Sequence, residues 1–395
     1  MIHQRLETGY NPLYFLAALG AGGIAMTFYA YLMFMVEHPD APVVTIDHLW
    51  PILSDGNPLA GAFAGLAMLA MLLFALLHIR LLVWNLFEYH RYRGTEAYRR
   101  LRTGHSETSL MAIPLTLAMS VNVLFMAAMA LVPNLWRHAE SALPVALVAF
   151  LGIGGQALFL YARFLIRVLR SGQFAGLADH GLAQMIAVFA FAMVALGLAA
   201  PGCMSQQAYA GTIGVAGAVL FAAIAAGLGV VKLGLGLRSA LKDGISASAS
   251  PGLWIVIPVL TLLGIVLIRL ELGPLQGFDR QLLQPGLFTL TAVILSLQLL
   301  FGVLGYIVMR RLGYFRDYLH GSERHPASYA LICPGIALFM FGMYFVNYGL
   351  VKTGLVDSLS LAYFALLAPF ALVQFKSIVT MFRLNRRLLG NPLLV

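Results

Sequence analysis

Charge is what this chain has least of. Only 10% of its 395 residues are Asp, Glu, Lys or Arg, 61% are hydrophobic, and the mean hydropathy is +0.86. A water-soluble domain cannot be built on so little solvated surface, so soluble classes are excluded and a multi-span membrane protein is indicated. No polar stretch is long enough for a second domain, and residues 1–395 read as a single integral membrane domain. Cysteine is scarce too. Cys203 and Cys333 belong to no CxxC pair, which leaves no thiolate metal cluster and no dithiol motif. The ten histidines are scattered, with no facing pair in the apolar runs to ligate a haem, and no cofactor is expected. Glycines such as Gly152, Gly154, Gly155, Gly211, Gly214 and Gly217 precede no GxxxxGK and read as close-packing positions, not phosphate loops.

What is present is a series of ten apolar runs, at roughly 12 to 36, 60 to 88, 109 to 132, 142 to 169, 181 to 200, 208 to 237, 252 to 270, 285 to 311, 328 to 351 and 359 to 382. Each is long enough to cross a hydrocarbon core about 30 Å thick as a helix. The first is too long and too lightly basic at its front for a cleavable signal and reads as a retained span. Short connections favour helical hairpins. With the N-terminus inside, 19 Lys and Arg fall on the cytoplasmic side and four outside (Arg137, Arg269, Arg280 and Lys352), while Arg80 and Lys376 lie within spans. That asymmetry predicts ten crossings with both termini cytoplasmic. It also accounts for the net charge of +9 without a nucleic-acid partner.

The odd-numbered spans repeat a feature. Four of the five carry proline at or soon after the inner end: Pro12, Pro114, Pro251 with Pro258, and Pro334. Cys333-Pro334-Gly335 falls about two turns into the ninth run, where proline removes a donor and freed carbonyls in lipid cost several kcal/mol each. Such a break belongs against protein or a lumen. Five hairpins repeating in one orientation suggest a pseudo-fivefold ring, with proline-marked odd helices around a central pore and Arg-ended even helices toward lipid. Proline enrichment in membrane helices in general is the plainer explanation.

Side chains on the odd helices are then candidates for the pore. A half-helix starting after Pro334 would aim free N–H groups at the break, hold an anion there and activate the Cys333 thiol. Otherwise Cys333 is a small buried hydrophobe. Asn122 and Asn347 could hydrogen-bond a passing anion or a neighbouring helix, and Gly20, Gly22 and Gly23 could leave room for a lumen. Arg269 and Glu271 line a mouth or form a solvated rim, and Arg80, like Lys376, snorkels to the interface. The basic loop His90 to His105 either binds anionic lipid or serves as a cytoplasmic anchor. No intramembrane carboxylate pair offers a proton relay, which favours a channel or facilitator over a pump. The alternative is a haem-free quinone-binding subunit of a redox complex, or a membrane redox protein that depends on Cys333.

Asn11-Pro-Leu-Tyr-Phe-Leu-Ala-Ala-Leu-Gly-Ala-Gly-Gly-Ile, Ala112-Ile-Pro-Leu-Thr, Ser250-Pro-Gly-Leu-Trp-Ile-Val-Ile-Pro-Val-Leu-Thr and Ser328-Tyr-Ala-Leu-Ile-Cys-Pro resemble the proline-marked inner helices of the TehA tellurite-resistance, dicarboxylate transporter and plant slow-type anion channel family. The resemblance spans the chain in topology, on short motifs. It implies five hairpins around a pore that passes small inorganic or sulfur oxyanions or short carboxylates, a homotrimer, and a bacterial inner membrane. In that family a phenylalanine on the ninth helix occludes the pore. Here Cys333 stands directly before Pro334, and the nearest phenylalanines are Phe339 and Phe341. The chain is also similar to a divergent TsoY-type branch, some of whose members are selenoproteins, which would put the selenium-bearing residue at Cys333.

Overall fold

The computed structural model describes residues 9–54, 56–171, 184–272 and 284–390, and among these it contains helices and no strand. Ten helices are long and apolar enough to cross a membrane. In chain order they are α1 (Phe15–Met35), α2 (Pro58–Tyr92), α3 (Ala112–Leu131), α4 (Ala139–Ser171), α5 (Met185–Met204), α6 (Ala208–Asp243), α7 (Val256–Leu272), α8 (Gln284–Arg311), α9 (Ile332–Tyr344) and α10 (Leu361–Leu388). A π-helical stretch, Phe345–Val351, extends α9.

The helices fall into two classes. The most apolar windows of the odd helices are 83, 61, 78, 61 and 67% buried, those of the even helices only 22 to 28%. A helix apolar all round is stable only when wrapped by other helices or by lipid, so the odd set is the protein's interior and the even set its lipid-facing shell. Contacts run from α1 to α3, α3 to α5, α5 to α7, α7 to α9, and from α9 back to α1, and each odd helix packs on the even helix that follows it. The even helices end in basic residues, among them Arg91, Arg170, Lys242, Arg310, Arg311, Arg386 and Arg387. Cations there complement the negative helix terminus. The odd helices begin on this same basic face.

The proline breaks inferred from the sequence take a different form. Four odd helices are entered through 3₁₀ turns, at Pro12–Tyr14, His105–Met111, Ala247–Ile255 and Pro326–Leu331. Pro114, Pro258 and Pro334 then stand third in α3, α7 and α9. A first-turn N–H has no partner within the α-helix, so proline costs little there. The backbone stays helical through the junction: Ile332 has φ −75° and ψ −44°, and its N–H donates to Tyr329 O. The expected half-helix end with free N–H groups beside Cys333 is therefore absent. Gly335 serves packing instead, since a Cβ there would strike Ser377 Oγ of α10.

Buried polar side chains on the even helices key the shell to the interior. His78 of α2 bridges Ala18 O (2.7 Å) and Ser120 Oγ (2.9 Å), and Asn85 of α2 donates to Tyr14 O at 3.2 Å. Lys232 of α6 donates to Gln184 Oε1 at 2.6 Å, and Gln298 of α8 to Thr261 Oγ1 at 2.7 Å. Gln374 of α10 donates to Thr27 Oγ1 at 2.7 Å and accepts from Tyr31 Oη at 2.9 Å, both on α1. Each such bond is worth about 0.6 kcal/mol on average in a membrane.

Candidate functional site

Two cavities lie among the odd helices. The inner one, about 100 Å³, has walls from all five: Leu19, Gly23 and Met26 of α1; Met119 and Asn122 of α3; Phe189, Met193 and Leu196 of α5; Pro258, Thr261, Leu262, Ile265 and Arg269 of α7; and Cys333, Ile336, Ala337 and Met340 of α9. The other is a vestibule of about 330 Å³ nearer the face opposite the basic one, walled by Tyr29, Phe34, Pro42, Val43, Cys203, Tyr344 and Tyr348 among others. Met26, Leu196, Ile265, Arg269 and Met340 belong to both walls, so the vestibule and the inner cavity are neighbours that share a wall including Arg269.

Arg269 is half-buried. Its Nη1 reaches only Leu196 O, at 3.5 Å, and it has no carboxylate partner among the described residues. Among the described residues, neither cavity wall contains Asp or Glu. A second cation stands near the vestibule, with Lys352 Nζ 4.3 Å from the ring centre of Tyr348. Deeper in, the Asn122 amide touches only Met193 Sδ, at 3.8 Å, which leaves N–H donors for an occupant. The Thr261 hydroxyl is committed to Ile257 O, Ala337 O and Gln298. The remaining wall is mostly Met, Leu and Ile, with Gly23, Phe189, Pro258, Ala337 and the Cys333 thiol, so a guest meets one cation, one amide, one thiol and otherwise apolar surface.

The vestibule lip is held in place. Tyr29 Oη donates to Val44 O at 2.7 Å, and the His38 ring sits between Met33 O (2.9 Å) and Ala41 O (2.8 Å). His48 Nε2 meets Asp40 Oδ1 at 2.8 Å, and this hydrogen bond holds the Asp40 carboxyl below the ordinary carboxylate range. Toward the basic face, α1 and α9 are closed by Tyr14 against Tyr329, ring centres 6.3 Å apart, within an aromatic group that includes Tyr10, Trp84 and Tyr92.

Of the residues the sequence singled out, Cys333, Pro258 and Asn122 share the inner cavity. Pro12, Pro114 and Pro334 are buried, but neither cavity touches them. The other expectations need correction. Gly22 is packed against α2 and α3, since a Cβ there would meet His78 Nδ1 at 2.8 Å and Met119 Cγ at 2.9 Å; Gly23 is the one that opens on the cavity. Phe339 packs against Tyr31 and Phe341 crowds Gly264, both rings fully buried away from the passage. Asn347 turns to α10 and accepts from Tyr363 Oη at 3.2 Å. The phenylalanine on the cavity wall is Phe189 of α5, the odd helix without an inner proline. Arg80 and Lys376 are exposed on the shell. Cys203 and Cys333 are both free thiols, one on the vestibule wall and one on the inner cavity wall. Sequence reasoning underrated Arg269, although its signal was present: it is the one Lys or Arg in the five odd-numbered apolar runs.

Comparisons of the chain with protein families, with curated proteins and with solved structures return no match.

Proposed function

We propose that this protein is a passive conduit for small anions, with the five odd helices arranged as a pseudo-fivefold ring around the route and the basic face toward the cytoplasm. The observation that carries the reading is Arg269: a guanidinium with no carboxylate partner among the described residues, on the wall shared by the vestibule and the inner cavity, whose described lining includes no carboxylate. A cation in that position attracts an anion, repels cations and leaves an empty site short of a counter-ion. The Asn122 amide supplies a second donor farther along. The lack of carboxylates among the described residues of both walls supports passive movement over proton coupling. The tight packing of Tyr14 on Tyr329 supports a route at rest closed on the basic side, opened by movement of α1 against α9.

The test is flux from liposomes reconstituted with the purified chain alone, each of nitrate, chloride, thiosulfate and succinate serving in turn as sole permeant anion. Valinomycin and potassium supply the balancing charge. Flux of at least one above empty liposomes supports the proposal; none, from protein that remains folded, overturns it. Because Cys333 lies on the same wall, a thiol-dependent reaction is the second reading. Full flux in Cys333→Ala removes it.

A further inference from the structure

On the basic face, remote from both cavities, α4 presents Arg163, Arg167 and Arg170 at spacings of four and three, which places them on one stripe of the helix. The connection from α2 to α3 folds back against that stripe as a short helix, Glu96–Thr103, and the 3₁₀ turn His105–Met111, bringing Arg102 and Glu107 with it. Together they line an open cleft of about 480 Å³, with Ile166 also on its wall. Glu107 is buried, accepts from Arg167 Nη2 at 2.8 Å and Nε at 3.1 Å, and lies 3.1 Å from Arg102 Nε. Arg167 is further fixed by donating to Thr103 O and Gly104 O, at 2.8 and 2.9 Å. Arg102 is fixed by Tyr98, whose hydroxyl accepts from Nη1 at 2.8 Å.

Of the four guanidiniums that line the cleft, the one carboxylate thus pairs with two. Among the described residues, buried Arg102 Nη2 has no acceptor, and Arg163 and Arg170 have no acidic partner. Immobilised arginines with spare N–H groups are the arrangement that recognises phosphate, because each planar fork can deliver two parallel bonds. The cleft also opens along the lipid-facing side of α4, where Phe159, Ile166 and Leu169 are exposed. An occupant with a phosphate head and an apolar tail meets both surfaces at once, whereas a free phosphate uses only one.

We propose that this cleft binds the phosphate of an anionic phospholipid from the leaflet on the basic face, its acyl chains lying along α4. Such a lipid would brace the α2–α3 connection against the shell at the level of the head groups. The site shares no residue with the anion passage and stands whether or not that reading holds.

Purified protein is delipidated and its thermal unfolding followed with added phosphatidylglycerol, phosphatidylcholine or inorganic phosphate, for wild type and for Arg163→Gln/Arg170→Gln. These two side chains make no bond that the fold needs. Phosphatidylglycerol is expected to raise the wild-type midpoint and phosphatidylcholine to leave it unchanged. The double variant should bind phosphatidylglycerol roughly 25-fold more weakly, each arginine contributing about a factor of five. Equal stabilisation by phosphatidylcholine, or an undiminished response in the variant, overturns the site. Protection of wild type alone by inorganic phosphate to the same extent as by phosphatidylglycerol overturns the lipid as its occupant.

Discussion

Arg269→Gln removes the one cation shared by the two cavities while keeping a polar side chain of similar length. The fold has little stake in this residue, whose one hydrogen bond is the 3.5 Å contact to Leu196 O. A unit charge about 4 Å from an anion is worth about 4 kcal/mol at the effective dielectric of a protein surface and about 1 kcal/mol in water. Arg269 is half-buried, between those two limits, so about 1–2 kcal/mol is the appropriate share, or roughly a 5- to 30-fold loss of anion occupancy beside it. Measured in liposomes at subsaturating anion and low ionic strength, flux should fall by that factor in Arg269→Gln and drop further in Arg269→Glu. Arg269→Lys should retain most of it. Raising salt should shrink the difference between wild type and Arg269→Gln, since the Debye length is about 8 Å at physiological ionic strength. Unchanged flux in a folded Arg269→Gln protein, or equal losses in the Lys and Gln variants, would refute the electrostatic reasoning.

Three further outcomes follow from other parts of the molecule. Cys203 on the 330 Å³ vestibule should react with a small anionic thiol reagent well before Cys333 on the 100 Å³ cavity, and Arg269→Gln should slow both; mass spectrometry of labelled peptides reads the order, and faster labelling of Cys333 contradicts the layout. Gly214→Ala should destabilise by about 1–3 kcal/mol in thermal unfolding, because its Cβ would sit 2.5 Å from Gly202 N and 2.6 Å from Gly202 Cα, backbone atoms that cannot rotate aside. Asp40, whose carboxyl is held low by His48, contributes to the lip at neutral pH and loses that contribution only as pH falls below the ordinary carboxylate range of about 4. Hydrogen exchange in residues 37–45, corrected for intrinsic rates, should therefore be flat from pH 7 to 5 in wild type and raised throughout in Asp40→Asn. An equal rate in the two proteins at pH 7 sinks the clasp.

Ten spans were legible from hydropathy because lipid imposes a length and forbids charge; the run at 109 to 132 corresponds to a span of Ser106–Leu131. The even helices outrun their apolar segments. α2 continues to Tyr92, past the run that stops near 88, since the helix carries on into water where hydropathy no longer tracks it. The division into interior and shell was signalled by proline and arginine placement. What proline could not reveal was whether it breaks a helix or begins one, and at Pro114, Pro258 and Pro334 it begins one. Nor could two asparagines be told apart. Asn122 and Asn347 sit on helices that are apolar all round, so no amphipathic stripe marks which side looks inward. Only packing assigns Asn122 to the cavity and Asn347 to Tyr363.

The bond from Gln374 to Thr27 joins residues separated by 347 positions, the tenth helix to the first. During synthesis α1 enters the bilayer with a tyrosine and a threonine whose partner has not yet been made. These two groups must therefore wait, met by lipid or insertion machinery, until α10 has emerged. Termination anywhere before α10 would leave Tyr31 and Thr27 without that partner, so closure of α1 against its neighbours depends on a residue 347 positions downstream.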